Sequence, residues 1–430
     1  MKRVGLVSLG CHKNLVDSEN ILGLFDRNGY EITNDPANSD VIVINTCGFI
    51  ESSKKESIEN ILEMLQYGKK VVVTGCLAER YLEDLKKEIP EVDVYIPIRD
   101  YKEFNKHLYL IDKDIDKSLG VDDDYRIVST GPFSAYLKIG EGCDNRCSYC
   151  AIPLIRGHFV SRDMDAIVNE AKDLASNGIK EIVVLEQDTT KYGIDFHNPD
   201  INIVALLNKL LEIKELDYIR LLYLYPDEIS DELIDLIGKE PRLTSYFDIP
   251  IQHSESHILK DMYRRGDKEF LIDLFTKIRQ RVPNAILRTT VMVGFPGETE
   301  EDVDNLIKFM EEIKFDHLGA FTYSQEEGTP ACEFDNQIPE EIKKERFNRV
   351  MKTQQKISYQ QNKKHVGEVM EGLVIGKDHD NYLLRSYWNA PDDVDGKIYF
   401  SSDISLKSGD IVKVKITSAF VYDLMGELIK

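Results

Sequence analysis

Basic charge is what this chain has least of. Its 54 Lys and Arg face 76 Asp and Glu, a formal charge of −22, and such a field repels a phosphate backbone unless cations are gathered locally. Nucleic acid is therefore not expected as the primary partner. Long apolar runs are missing too: no stretch approaches the roughly 18 apolar residues of a membrane span, and Met1 to Cys11 lacks the apolar core of a secretion signal. The expectation is a cytoplasmic protein with no membrane partner. Only 14 Pro and 26 Gly occur among 430 residues, which excludes collagenous, mucin-like and disordered classes. Cysteine is scarce and odd in number: Cys11, Cys47, Cys76, Cys143, Cys147, Cys150 and Cys332. Seven thiols spread over a chain long enough for about three domains make a poor disulfide framework and a plausible set of metal-holding thiolates.

Short β-branched runs alternate with helical patterns in the first third: Val4 to Ser8, Val41 to Asn45 and Val71 to Thr74, separated by the helical stretches Ser18 to Asn28 and Glu51 to Tyr67. This rhythm predicts an open parallel α/β sheet over residues 1–125. Gly10-Cys11, Thr46-Cys47-Gly48 and Gly75-Cys76 each follow a different strand, and carboxyl ends of parallel strands share one edge, where such folds bind ligands. Three thiols distant in sequence are thus expected to converge. The acidic, aperiodic stretch 110–131 reads as a linker.

A second βα series follows over residues 126–365, with strands predicted near Ala135 to Ile139, Ile182 to Leu185, Ile219 to Tyr223, Tyr246 to Ile251, Leu287 to Val293 and His317 to Tyr323. Six parallel units predict a partial βα barrel with its site at the carboxyl ends of the strands. A charged helix, Pro339 to Lys364, leads out. Residues 366–430 change character, and Glu368 to Ile375, Asn381 to Ser386, Gly396 to Phe400, Asp410 to Thr417 and Ala419 to Tyr422 read as five short strands of a small β-barrel.

The sharpest signal is Gly140-Glu141-Gly142-Cys143-Asp144-Asn145-Arg146-Cys147-Ser148-Tyr149-Cys150, a C-x3-C-x2-C loop after the first strand of the barrel. Thiolates this close repel one another unless a metal neutralises them, and their softness selects zinc or iron–sulfur. Structural zinc usually takes four ligands in paired spacings, and His158 is the one nearby candidate for a fourth. A 4Fe-4S cube on three cysteines instead leaves one iron open. Taken singly, Cys11, Cys47 and Cys76 admit a bland reading as small buried apolar residues; together at one sheet edge they favour a second cube.

Cys-x3-Cys-x2-Cys with an aromatic before the last cysteine, on a partial βα barrel, resembles the radical S-adenosylmethionine superfamily. Further passages narrow this: Lys13-Asn14-Leu15-Val16-Asp17-Ser18-Glu19, Asn45-Thr46-Cys47-Gly48-Phe49-Ile50, Ile152-Pro153, Ile155-Arg156-Gly157, Asp248-Ile249-Pro250-Ile251-Gln252-His253 and Gly294-Phe295-Pro296-Gly297-Glu298. Over nearly the whole chain they resemble the methylthiotransferases, with the terminal barrel similar to a TRAM domain and the wording nearer the RimO branch than the MiaB branch. The resemblance implies two 4Fe-4S clusters and S-adenosyl-L-methionine as cofactors. It also implies methylthiolation of the β-carbon of an aspartate in small-subunit ribosomal protein S-twelve, with an electron donor and a sulfur donor as further partners. The alternatives are an adenosine in tRNA as substrate, a non-catalytic iron–sulfur electron carrier and a zinc-stabilised module. His12 departs from the branch, which usually has proline there, and is expected to alter loop stiffness more than ligation.

Gln187, Asp188, Gln252, Arg288 and Gly294 fall at or near predicted strand ends and are candidate contacts for S-adenosylmethionine or substrate. Cys332 is expected to be structural. Residues 368–430 carry a balance of −4, unsuited to gripping phosphate; Tyr387, Trp388 and Asp392-Asp393-Val394-Asp395 read as a surface for a basic protein loop.

Overall fold

The computed structural model describes residues 2–123, 125–391 and 394–429. Near the N-terminus five parallel strands, β1 (Arg3–Ser8), β2 (Glu31–Ile32), β3 (Val41–Thr46), β4 (Lys70–Gly75) and β5 (Val94–Ile96), run in the order β2-β1-β3-β4-β5. The central strand β3 is buried along its whole length, as a Val/Ile run covered by helices on both faces must be. The two edge strands carry too few residues for periodicity to reveal them. Among the described residues from Leu110 to Phe133, the stretch read as a linker has neither helix nor strand, yet it is strapped down. Asp112 accepts from the Tyr30 hydroxyl and from Lys2, Asp123 pairs with Arg162 at 3.0 Å, and Arg126 pairs with Glu19 at 2.7 Å. Asp112, Asp123 and Arg126 thus anchor the stretch to the two flanking regions, while Lys113, Asp114, Asp116 and Lys117 remain exposed.

The central region holds β6 (Ser134–Lys138), a two-strand hairpin of β7 (Gly140–Glu141) and β8 (Val160–Ser161), and then β9 (Glu181–Leu185), β10 (Tyr218–Leu221), β11 (Tyr246–Asp248), β12 (Ile286–Val293) and β13 (His317–Thr322). Strands β6, β9 and β10 pair in parallel, as do β11, β12 and β13. The halves join where the Ile219 N–H donates to Arg242 O at 2.7 Å and Leu224 N–H to Asp248 O at 2.9 Å. The result is the expected half-barrel of six parallel strands in chain order, with its core between the strands and the covering helices. The long helix Glu340–Lys364 leads out along β13.

Five further strands, β14 (Val369–Asp378), β15 (Asn381–Ser386), β16 (Ile398–Ser401), β17 (Ile411–Ala419) and β18 (Leu424–Leu428), close into a barrel. The fifth lies later than predicted. Of Ala419 to Tyr422, Ala419 ends β17 and the rest belongs to the turn of the β17–β18 hairpin, where Phe420 N–H donates to Asp423 O; its aromatic residues have strand propensity but stand exposed.

This small barrel docks on the amino end of the half-barrel. Glu181, at the start of β9, pairs with Arg385 at 2.6 Å and Arg220 at 3.3 Å, Tyr246 donates to Asp395 at 2.6 Å, and the His317 Nε2 lies 2.8 Å from the Trp388 carbonyl. Trp388 is fully buried and Asp395 nearly so, close to Arg288 and His317. The reading of Trp388 and Asp395 as an open surface for a basic loop is therefore corrected: an acidic run can look solvated in sequence while one member closes an internal ion cluster. Asp392 and Asp393 lie outside the described residues. No described helix is long and apolar enough to cross a membrane.

Candidate functional site

The first trio forms because β1, β3 and β4 are neighbours and each ends one to three residues before a cysteine. Glycines bring the three loops close. Gly10, at φ +91°, lies so near Cys47 that a Cβ there would meet its Sγ at 2.9 Å, and Gly75, at φ +90°, packs on Asn45 and Thr46. Two asparagines lace the edge. Asn14 donates to Leu9 O at 2.6 Å and Thr46 O at 3.2 Å, while Asn45 donates to Asn14 O at 2.8 Å. Ser57 both accepts from the Cys47 N–H at 3.0 Å and donates to its carbonyl at 2.8 Å. Burial raises the Cys47 thiol and pushes Cys76 up to about 11, with the neighbouring cysteines adding to it and Arg156 opposing it.

The second trio occupies the loop between β7 and the short helix Ile152–Arg156. Gly142, at φ +80°, passes so close to the His158 carbonyl that no side chain fits there, and Cys143 N–H donates to Gly157 O at 3.1 Å. Asp188 anchors the loop by accepting from Asn145 at 2.7 Å. Behind Cys147 lie the Tyr225 hydroxyl at 3.7 Å and the Arg264 guanidinium at 3.8 Å, the latter also donating to Pro250 O at 2.6 Å and stacked 4.2 Å from the Tyr225 ring. Burial pushes Cys143 up to about 11 and Cys150 higher, with Cys147 adding to both.

Thiols raised by burial, as Cys47, Cys76, Cys143 and Cys150 are, become thiolates when a metal supplies the positive charge. The donor sets argue for a cube rather than one structural zinc: each trio offers three soft sulfurs, and a structural zinc would need a fourth protein ligand. His158, the candidate fourth zinc ligand, is 75% exposed and turned to Asp144 at 2.8 Å. The donor sets fit iron–sulfur.

The two trios are adjacent. Cys76 packs with Ala151 and Ile155, one and five residues after Cys150. A buried ion network fills the same seam: Lys13 pairs with Glu186 at 2.8 Å, Lys138 with Asp17 at 2.7 Å, and Arg156 with Asp17 at 2.5 Å and Glu141 at 3.1 Å. A second clamp is Glu326, which holds Arg80 at 2.8 Å and Lys54 at 3.1 Å. Of these residues the motifs include Arg156, Glu141 and, in the Lys13–Glu19 passage, Lys13 and Asp17. Glu186, Arg264 and Glu326 carry no spacing signal, although buried Arg or Glu in an otherwise apolar strand end is a cue in itself.

Gln187 and Gln252 stand at the carboxyl rim, half-buried, Gln252 in a left-handed conformation at φ +70°. Arg288 does not belong with them. It sits inside the half-barrel, 2.6 Å from Asp248 and 3.5 Å from Asp395, so its charge serves the docking of the small barrel. Gly294 is also reassigned: at φ +74° its open face is crossed by Lys343, whose Cγ would lie 2.3 Å from a Cβ, and its N–H donates to Glu298. The approach of the exit helix is by itself enough to demand glycine there. Cys332 sits in a short turn with its N–H bonded to Thr329 O.

The central half-barrel with three cysteines at its carboxyl end defines a radical S-adenosylmethionine protein, and the Radical SAM superfamily model matches residues 137–310. Residues 3–97 match a family described as uncharacterized, UPF0004, and residues 366–429 match the TRAM domain. Relatives named ribosomal protein uS12 methylthiotransferase RimO are 47% identical in Desulforamulus reducens, covering 100% of both chains, and 47% identical in Aquifex aeolicus, covering 99% of this chain and 96% of that one. The chain belongs to the RimO methylthiotransferase family. Among solved structures, the radical S-adenosylmethionine methyltransferase TsrM from Kitasatospora setae superposes with a TM-score of 0.56 at 14% identity, over 75% of this chain and 72% of that one, a likeness of fold alone.

Proposed function

We propose that this chain is a radical S-adenosylmethionine transferase that methylthiolates ribosomal protein uS12, at the β-carbon of an aspartate, with Cys143, Cys147 and Cys150 holding one 4Fe-4S cluster and Cys11, Cys47 and Cys76 a second. The observation that carries the reading is the meeting of the two trios across one seam, with Cys76 against the residues that follow Cys150. When bound, the barrel cluster and S-adenosylmethionine supply the electron and the carbon radical that takes hydrogen from an unactivated carbon, and the second cluster presents sulfur. The chain's own part is to hold, orient and exclude. Asp188 and Asn145 fix the barrel loop, Gln187 and Gln252 line the rim as candidate cofactor contacts, and the ion network of Lys13, Asp17, Lys138 and Arg156 holds the two loops together. Methyl transfer from a second S-adenosylmethionine, and an external electron donor and sulfur donor, complete the reading. The balance of −4 in residues 368–430 suits a basic protein partner better than tRNA, through residues other than Trp388 and Asp395.

The test divides the trios. Cys143→Ala should abolish reductive cleavage of S-adenosylmethionine, whereas Cys11→Ala should leave cleavage intact and remove the methylthio mass increment on uS12. Equal loss of cleavage in both variants would sink the assignment.

A further inference from the structure

Arg156 lies in the last turn of the helix after the barrel loop, but its guanidinium reaches into the N-terminal domain. The side chain is 1% exposed. One arm, Nη1, contacts Asp17 at 2.5 Å and Glu141 at 3.1 Å; the other, Nη2, donates to Asn14 Oδ1 at 2.9 Å and faces the Cys76 Sγ at 3.5 Å. We propose that Arg156 is a positioning residue for the first trio, hydrogen-bonding the Cys76 sulfur from the loop of the second and thereby setting the reduction potential of the iron–sulfur group that sulfur holds. This rests on the reading of Cys11, Cys47 and Cys76 as cluster ligands.

Neutralising Asp17 and Glu141 does not account for the arrangement. Lys138 already stands 2.7 Å from Asp17 and 3.5 Å from Glu141, and Lys13 is 3.6 Å from Glu141, so those carboxylates have cations without Arg156. That role would also need only one arm. The rigid planar fork allows the second arm to be aimed while the first is clamped, and Asn14, itself bonded to the ends of β1 and β3, fixes the direction. An N–H donor and a buried positive charge at a ligand sulfur both stabilise the more negative, reduced cluster, which raises its potential. Because Arg156 follows Cys150 by six residues, the same contact ties the position of one trio to the other.

The experiment uses the full chain with Cys143, Cys147 and Cys150 all replaced by Ala, reconstituted anaerobically with iron and sulfide so that only the first trio loads. Iron content and an EPR-monitored redox titration are then compared for Arg156, Arg156→Gln and Arg156→Lys. Lysine keeps a cation beside Asp17 but cannot reach Cys76 with a second arm. Both variants should load one cube per chain and show a lower midpoint potential than the parent, glutamine the lower of the two. If glutamine disrupts folding, the lysine variant decides. An unchanged potential in a loaded lysine variant overturns the role of Arg156. A parent that binds no iron overturns the reading of the first trio and the inference with it.

Discussion

Each trio has one arginine behind one sulfur, and the two arginines are held in opposite ways. Arg156, at Cys76, is clamped by Asp17 and Glu141. Arg264, at Cys147, has a carbonyl, a phenol and an aromatic face as its other partners. The trios differ in the same sense. The first is assembled from three strand ends laced by Asn14, Asn45 and Ser57, so its geometry belongs to the sheet. The second is a single loop with little regular structure between Glu141 and Ile152, whose shape depends on Asp188 and on the ligand it is built for. One site is imposed by the fold and the other is completed by its contents.

Substituting the two arginines breaks this comparison most severely. Arg156→Gln removes one of three cations from the ion cluster around Asp17 and Glu141, where Lys138 and Lys13 remain, together with its charge-assisted bonds, and a loss of about 3 kcal/mol is expected. Arg264→Gln removes bonds to uncharged groups, for which about 1–3 kcal/mol is expected. Denaturant melts of the iron-free proteins should therefore rank Arg156→Gln below Arg264→Gln. The reverse order would mean that the ionic seam does not hold the two domains together.

Removing the metal probes the same contrast more gently. After anaerobic chelation, amide hydrogen exchange should accelerate in residues 143–150, where few backbone bonds remain once the sulfurs lose their centre. Residues 45–48 and 74–78 should stay protected, because the Cys47 N–H is bonded to Ser57 and Cys76 opens a helix. Equal deprotection at both trios would show that the first is as ligand-dependent as the second.

What the sequence made legible follows the same division. The barrel loop could be read directly, since its three cysteines are spaced by the chain itself. The first trio was legible only through the order of strands, because three cysteines tens of residues apart meet only if β1, β3 and β4 lie side by side. The pairing within the ion clamps is not legible, even where a motif contains one member: Glu186 and Glu326 find their partners 173 and 272 residues away, and no local period encodes such pairs. Arg288 and Gly294 show the converse: neighbours that the sequence does not reveal. A strand-end position suggested ligand contact, but the decisive neighbours, Asp395 and Lys343, come from elements that pattern alone could not dock. Ala419 to Tyr422 was misplaced because aromatic propensity is shared by strands and by exposed hairpin turns.

The smallest effect concerns His12, beside Cys11. It is the first residue of the helix His12–Arg27, where proline is well tolerated because the missing N–H has no partner within the helix, so His12→Pro should not disturb the strand-end geometry. The ring does something else. It stacks on Tyr136 at 4.6 Å and its Nδ1 lies 3.1 Å from the Tyr223 hydroxyl, tying the first loop to the inner wall of the half-barrel. Loss of one stacked pair and one hydrogen bond, partly offset by the stiffer proline, should cost about 1 kcal/mol. Iron loading of the first trio should be unchanged, with a small fall in the melting midpoint. A large loss of iron in His12→Pro would show that the first loop, like the second, takes its shape from contacts outside the sheet, and the contrast between the two sites would fail.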